Sequence, residues 1–194
     1  MEVAAAGVSS DRLNNIPGSA YDLRVFGVPN EFLLRTMSLG SYDIALLAAI
    51  QQDATTPQHA LGTQVNLSSA AVNRRLKKLA DEGVTRKTVS LVDPAQVGYP
   101  LTIITEVEVE NERLDLLDAM KRSFLACPQV QQCYYVAGEC DFVVIMVVQN
   151  MAQYTALTRT LFFESNNVKR FKTLVAMSNV KVGLEVPLDA VAAP

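Results

Sequence analysis

The stretch Ser68-Ser69-Ala70-Ala71-Val72-Asn73-Arg74-Arg75-Leu76-Lys77-Lys78-Leu79-Ala80-Asp81-Glu82-Gly83 decides how the rest of this chain is read. At about 100° per residue, Val72, Leu76 and Leu79 share one stripe that must face a core. Ala70, Asn73, Arg74 and Lys77 point the opposite way, and Arg75 and Lys78 flank them. Ser68 stands at an N-cap and Gly83 at a stop, so the spacing predicts a helix running to Glu82. Its exposed face suits a DNA major groove: Asn pairs with adenine, Arg with guanine, and basic flanks with phosphates. Ser68, Ser69 and the open N–H groups of the helix start add phosphate donors. A plain solvated amphipathic helix has the same pattern, so the decision lies in what surrounds it.

Upstream, Ser41 stands where it can cap a helix whose apolar face is Ile44, Leu47 and Ile50, with Leu46 beside it. Asp53 to Thr56 break that helix. A second helix is expected from Thr56 as N-cap and Pro57 at the first helical position, carrying Leu61 and Val65 one turn apart. Gly62 inside it is unfavourable by roughly 1 kcal/mol relative to alanine, which a closely approaching helix would explain. Asn66-Leu67 then makes a tight turn. Downstream, Thr85 to Val92 reads as a two-stranded wing that carries Arg86 and Lys87. Together these favour a winged helix-turn-helix. Charge agrees: residues 41–92 are net +2 and residues 93–194 net −4, as expected if only the first module meets a polyanion. Residues 1–38, which carry Gly7, Gly18, Gly27, Pro17 and Pro29 and show little periodicity, read as a flexible extension whose segment Val25 to Met37 could dock locally.

From residue 100 the periodicity changes. Ile104 to Glu110 alternates as a strand with one apolar and one acidic face. Arg113 to Phe124 returns to helical spacing through Leu114, Leu117, Met120 and Phe124. Val130 to Val136 and Asp141 to Val148 are strands joined by Ala137-Gly138-Glu139-Cys140. Met151 to Phe163 is a helix with Tyr154, Leu157 and Leu161 inward, and Val168 to Met177 a last strand. The order β-α-β-β-α-β is the ferredoxin-like pattern, so the chain is α+β.

With 194 residues, 49% of them hydrophobic, the chain can build packed cores and is neither disordered nor collagen-like. The longest apolar run, Phe142 to Val148, has the length of a strand, far short of the roughly 20 residues that span a bilayer. The start lacks the pattern of a secretory leader, so the expected location is the cytoplasm. Cys127, Cys133 and Cys140 form no CxxC pair, and His59 is the only histidine, so no metal is expected and the thiols read as buried and inert. No cofactor motif and no nucleophile–base pair is present.

Several segments in this order resemble the Lrp/AsnC (leucine-responsive/asparagine) regulators. Ser41-Tyr42-Asp43-Ile44-Ala45-Leu46-Leu47 resembles that family's opening helix, and Leu61-Gly62-Thr63-Gln64-Val65-Asn66-Leu67-Ser68 its turn into the recognition helix. Val72 to Val84, Asp93-Pro94, Val97-Gly98 and Val136-Ala137-Gly138-Glu139-Cys140-Asp141-Phe142 complete the series. Asn66 replaces the usual turn glycine, Gly62 a usual alanine or serine, and Thr85-Arg86-Lys87-Thr88 departs from the usual wing. The resemblance implies a transcriptional regulator that binds double-stranded DNA as a homodimer, often assembling to an octamer. It also implies a second half, the RAM domain, that pairs between subunits and binds a small effector, usually an amino acid. Gly138 and Asp141 then border the effector site, with Val136, Met151 and Val175 lining it. Gly would let backbone N–H groups approach a carboxylate, and Asp141 would suit an α-ammonium group. A plain hairpin turn would use Gly138 and Asp141 equally well.

The expected organisation is therefore an extension over 1–38, a winged helix-turn-helix over 39–92, a linker over 93–99, a RAM domain over 100–182 and a tail over 183–194. The expected DNA contacts are Ser68, Ser69, Ala70, Asn73, Arg74, Arg75, Lys77, Lys78, Arg86 and Lys87, and no residue is expected to be catalytic. Two other functions fit the architecture. A haem-pathway decarboxylase of related fold would want histidines and arginines in the second half, where this chain has no histidine. A non-specific architectural protein would need more phosphate contacts than six basic residues in the module supply.

Overall fold

The computed structural model describes residues 39–164 and 167–188, so the expected extension and its segment Val25 to Met37 lie outside the described residues. Two compact units result, one holding residues 39–91 with 180–188 and the other residues 92–179. In the first, helices α1 (Ser41–Gln52), α2 (Gln58–Val65) and α3 (Ser69–Asp81) pack around Leu46, Leu61 and Val72. Leu46, expected beside the apolar face of α1, is fully buried, while Ile50 is only partly so. Leu79 is buried and Leu76 partly so, as the stripe on α3 requires.

The helix ends refine the sequence reading. Ser41 is not a cap: Gly40 holds that position, and the Asp43 and Ile44 N–H groups donate to its carbonyl. Pro57, not Thr56, is the N-cap of α2, because its carbonyl takes the Ala60 and Leu61 N–H groups. The Ser68 hydroxyl does cap α3, accepting from the Ala71 N–H at 3.3 Å. At the other end the Gly83 N–H donates to Ala80 and the Val84 N–H to Leu79, with Gly83 at φ 74°. This pairing closes the helix and needs a residue that tolerates the left-handed region.

Between α2 and α3, Asn66 adopts φ 55° and ψ 45°, the left-handed conformation that its short amide side chain tolerates. Gly62 is buried, and a Cβ there would lie 2.4 Å from the Leu67 carbonyl oxygen. What presses on Gly62 is therefore the backbone of the turn and not another helix. The wing differs more. Residues 86–92 form no ladder, and Val89, Leu91 and Val92 are exposed. Thr85-Arg86-Lys87-Thr88 has no glycine, asparagine or aspartate to enter a tight hairpin turn, and a lone two-stranded ribbon is marginal in water. Residues 180–188 belong to the same unit: the Gln51 side-chain amide donates to the Val186 carbonyl at 3.1 Å and accepts from its N–H at 2.9 Å.

In the second unit, a 3-10 turn (Ala95–Val97) leads into β1 (Leu101–Val109), α4 (Leu114–Ala126), β2 (Val130–Tyr135), β3 (Phe142–Val148), α5 (Met151–Thr158), a wider turn (Arg159–Phe163) and β4 (Val168–Val175). The antiparallel sheet has the order β2-β3-β1-β4, as the ferredoxin-like pattern requires. Its core face carries Ile103, Thr105, Val107 and Val109 from β1 beside Phe142, Val144, Met146 and Val148 from β3. Leu117, Met120 and Phe124 of α4 cover it, but Leu114, at 77% exposed, does not join them. Phe124 meets Phe142 edge-on at 5.5 Å between ring centroids. The Tyr154 hydroxyl from α5 sits 3.1 Å from Thr105 Oγ1 and 2.6 Å from Thr173 Oγ1, which satisfies the one hydroxyl buried in the middle of β1.

The Gly62 contact is testable by denaturation. Gly62→Ala gains helix propensity yet should lower unfolding stability by about 1–3 kcal/mol, because the added methyl meets backbone. Asn66→Gly should leave stability within about 1 kcal/mol.

Candidate functional site

The first candidate surface is the outer side of α3. Asn73, Arg74 and Lys77 are exposed, and their side chains have no hydrogen bond or ion pair among the described residues. Ser69 and Ala70 lie exposed in the first turn, where helical N–H groups lack intrahelical acceptors, and Ser68 retains its hydroxyl hydrogen as a donor while it caps. Lys78 is exposed and loosely paired with Glu82 at 3.8 Å. Arg86 and Lys87 follow outside any helix or strand, both exposed.

Arg75 is the exception among these residues. Its guanidinium donates to Asp43 Oδ1 of α1 at 2.8 Å and lies 5.4 Å from the centre of the Tyr42 ring. This side chain braces α3 against α1, a role that helical periodicity alone could not separate from an outward-facing one. A partly exposed ion pair of this kind is worth about 1 kcal/mol or less, with cation–π contact adding a similar amount.

The second candidate is a cleft of about 480 Å³ at the end of the sheet. Glu108, Val109 and Glu112 wall it from β1 and the loop beyond, Gly138, Glu139 and Asp141 from the β2–β3 loop, and Arg170 from β4. Asp141 shapes it: its Oδ2 accepts from the Val109 N–H at 2.8 Å, its own N–H donates to Val107, and its carbonyl accepts from Val136. One carboxylate oxygen is thus already used by the backbone. Glu108 accepts from Lys169 at 2.6 Å and from Arg170, and these cations hold its carboxyl below the usual range.

The five expected effector residues do not converge within one chain. Gly138 and Asp141 line the cleft and Val136 adjoins it through its bond to Asp141. Val175 pairs with Ile103 near the other end of β1, and Met151 follows β3, whose Val148 pairs with Leu101. From Ile103 to Val107 is four residues of strand, about 13 Å. Met151 and Val175 are 45% and 43% exposed and do not line the cleft. Glu108, Glu112 and Arg170 were not anticipated. Strand alternation put Glu108 on the outer face, but only the β1–β4 register brings Arg170 opposite it.

The cysteines are less buried than expected. Cys133 is exposed and Cys127 and Cys140 partly so, because β2 is an edge strand and residue 140 lies in a loop. Desolvation on the inner side of β2 nonetheless pushes the Cys133 thiol up to about 11.

Residues 40–84 match the winged helix-turn-helix DNA-binding family, and residues 102–186 match the Lrp/AsnC ligand binding domain. An uncharacterized HTH-type transcriptional regulator of Sinorhizobium fredii is 40% identical over 79% of this chain and 90% of its own length. An AsnC family transcriptional regulator from Agrobacterium tumefaciens superposes with a TM-score of 0.74 at 26% identity, over 78% of this chain and 99% of that one. A transcriptional regulator from Neisseria meningitidis, solved as a complex with L-Met, shares the fold with a TM-score of 0.74 at 23% identity, over 79% and 99% of the two chains. The chain belongs to the Lrp/AsnC family of DNA-binding transcriptional regulators, with a helix-turn-helix module that matches the winged helix-turn-helix family ahead of an effector-binding α+β domain.

Arg75→Ala should lower stability by about 1–2 kcal/mol in chemical denaturation, whereas Arg74→Ala should leave it within about 0.5 kcal/mol. Cys133 should alkylate slowly at pH 8, its rate still rising above pH 10, because desolvation of the core-facing sulfur favours the neutral thiol even though the residue is exposed; mass-resolved alkylation at several pH values would measure this.

Proposed function

We propose that α3 reads DNA bases through Asn73, Arg74 and Lys77, while Ser68, Ser69, Ala70, Lys78, Arg86 and Lys87 hold phosphates. The observation that carries this reading is the two-sidedness of α3: Val72 and Leu79 are sealed in the core while the amide, guanidinium and ammonium opposite them stand unpaired among the described residues. Arg75 acts through Asp43, fixing the angle at which α3 is presented.

The effector is an amino acid bound at the cleft bordered by Gly138 and Asp141. The L-Met complex of the Neisseria meningitidis regulator supports this, as does the cleft's volume, which suits a molecule of that size. The protein works as a homodimer in the cytoplasm, where its DNA is, and octamers can form from that dimer. The sheet face away from the helices supports self-association, since it carries Ile104, Val143, Ile145 and Leu174 only half-covered or exposed. A second copy laid on that face would bring residues of another subunit to the cleft or to the Met151–Val175 end. We assign the chain no catalytic role: its single histidine, His59, lies in α2 of the first unit, and the second unit's stretch of sequence has none.

Fluorescence anisotropy on DNA from upstream of the chain's own gene, against scrambled DNA, tests the recognition surface. The upstream DNA should bind at least tenfold more tightly, and Asn73→Ala with Arg74→Ala should remove about 2–4 kcal/mol of that preference without changing stability. Equal binding to both DNAs, unchanged by the substitutions, would remove α3 from the role of reading helix.

A further inference from the structure

The charge of the cleft goes further than its size and depends on the amino-acid effector reading above. Four carboxylates and one guanidinium line it, so the wall is net negative. Glu108 is neutralised by Lys169 and Arg170, and Asp141 has committed one oxygen to the Val109 N–H. Glu112 and Glu139 have no ion pair or hydrogen bond among the described residues, so their charge is uncompensated. Neighbouring groups respond to this field. Burial raises the Tyr135 phenol, with Glu112 and Asp141 adding to the rise. Burial also raises the Cys140 thiol, with Glu106, Asp141 and Glu139 adding.

Two further features bear on the occupant. Val109 is the one aliphatic residue in the wall and its side chain faces the core, so an apolar ligand side chain would exchange water for carboxylates and gain little. Arg170 gives Nε to Glu108, and its Nη donors have no partner among the described residues. Such a fork suits a carboxylate. The wall thus offers an anion-binding group at one point and unpaired anions elsewhere, which fits a zwitterion bearing one more positive charge.

We propose that the cleft selects an amino acid with a cationic side chain, whose α-carboxylate meets Arg170 and whose side-chain cation meets Glu112 and Glu139. An anionic side chain is repelled there, and a neutral one of equal size has no counterpart for these two charges.

Calorimetric titration of the full chain tests the proposal with isosteric pairs: L-arginine against L-citrulline, and L-lysine against L-2-aminoheptanoic acid. L-leucine, L-methionine and L-glutamate serve as further probes. At low salt the cationic member should bind about tenfold or more tightly than its neutral isostere, since each uncompensated carboxylate nearby adds an attraction of order RT. In about 1 M salt, where the screening length is ~3 Å, the ratio should shrink. Glu112→Gln with Glu139→Gln should bring it close to one while the melting temperature holds, because neither carboxylate supports the fold. If L-citrulline or L-methionine binds as tightly as L-arginine in the unmodified chain, selection by charge is overturned and the amino-acid reading stands. If none of the amino acids binds, that reading fails and the proposal falls with it.

Discussion

Side chains of a strand alternate between two faces, and in β1 that single constraint organises the whole second unit. Thr105, Val107 and Val109 face the helices, so Glu106 and Glu108 must face away. The core needs the first set to be apolar or internally satisfied, which Tyr154 achieves for Thr105. The second set meets the cations that β4 brings into register, Lys172 opposite Glu106 and Arg170 opposite Glu108. The cleft exists where this charged row ends, at the Val109 N–H that Asp141 captures. Shifting β1 by one residue would bury the glutamates and dissolve core and cleft together.

The first unit rests on a comparable constraint of space. Absence of a Cβ at Gly62 lets the Leu67 carbonyl approach, which allows the chain to turn within two residues and start α3 at once. Asn66 supplies the left-handed step and Ser68 the cap. Arg75 then ties α3 to α1 through Asp43, so the outer face of α3 is held at a set angle by a contact on its flank. Presentation of the reading residues and stability of the module are therefore separable, since Asn73, Arg74 and Lys77 take no part in packing.

A second structural role lies with residues that carry no sequence signature. Asn167, almost wholly buried, uses its side-chain amide to accept from the Asn111 N–H at 3.1 Å and to donate to the Asn111 carbonyl at 3.0 Å, and its own carbonyl takes the Glu110 N–H. One side chain thereby joins the start of β4 to the end of β1, just beside Glu112. Gln51 does the same for Val186 in the other unit, joining part of the tail expected over 183–194 to α1. An amide that mimics a peptide group can pair with any backbone, so nothing local marks which one it meets.

Short-range chemistry was legible in the sequence. The capping of α3 by Ser68, the stop at Gly83, the left-handed turn at Asn66, the faces of α3 and β1, and the order β-α-β-β-α-β all follow from periodicity and from backbone preferences acting over a few residues. The strand pair expected over Thr85 to Val92 does not form, because Val89 and Leu91 have strand-like alternation but no turn chemistry to pair them. What only the tertiary structure decided involves partners far apart in the chain. Arg75 turns to Asp43, 32 residues away, and Arg170 meets Glu108, 62 residues away. Asp141 commits an oxygen to Val109, and Met151 and Val175 stand at the opposite end of the sheet from Gly138. Side-chain period fixes the face on which a residue lies; its partner there depends on register and helix packing, which are set by the burial of the two cores as wholes.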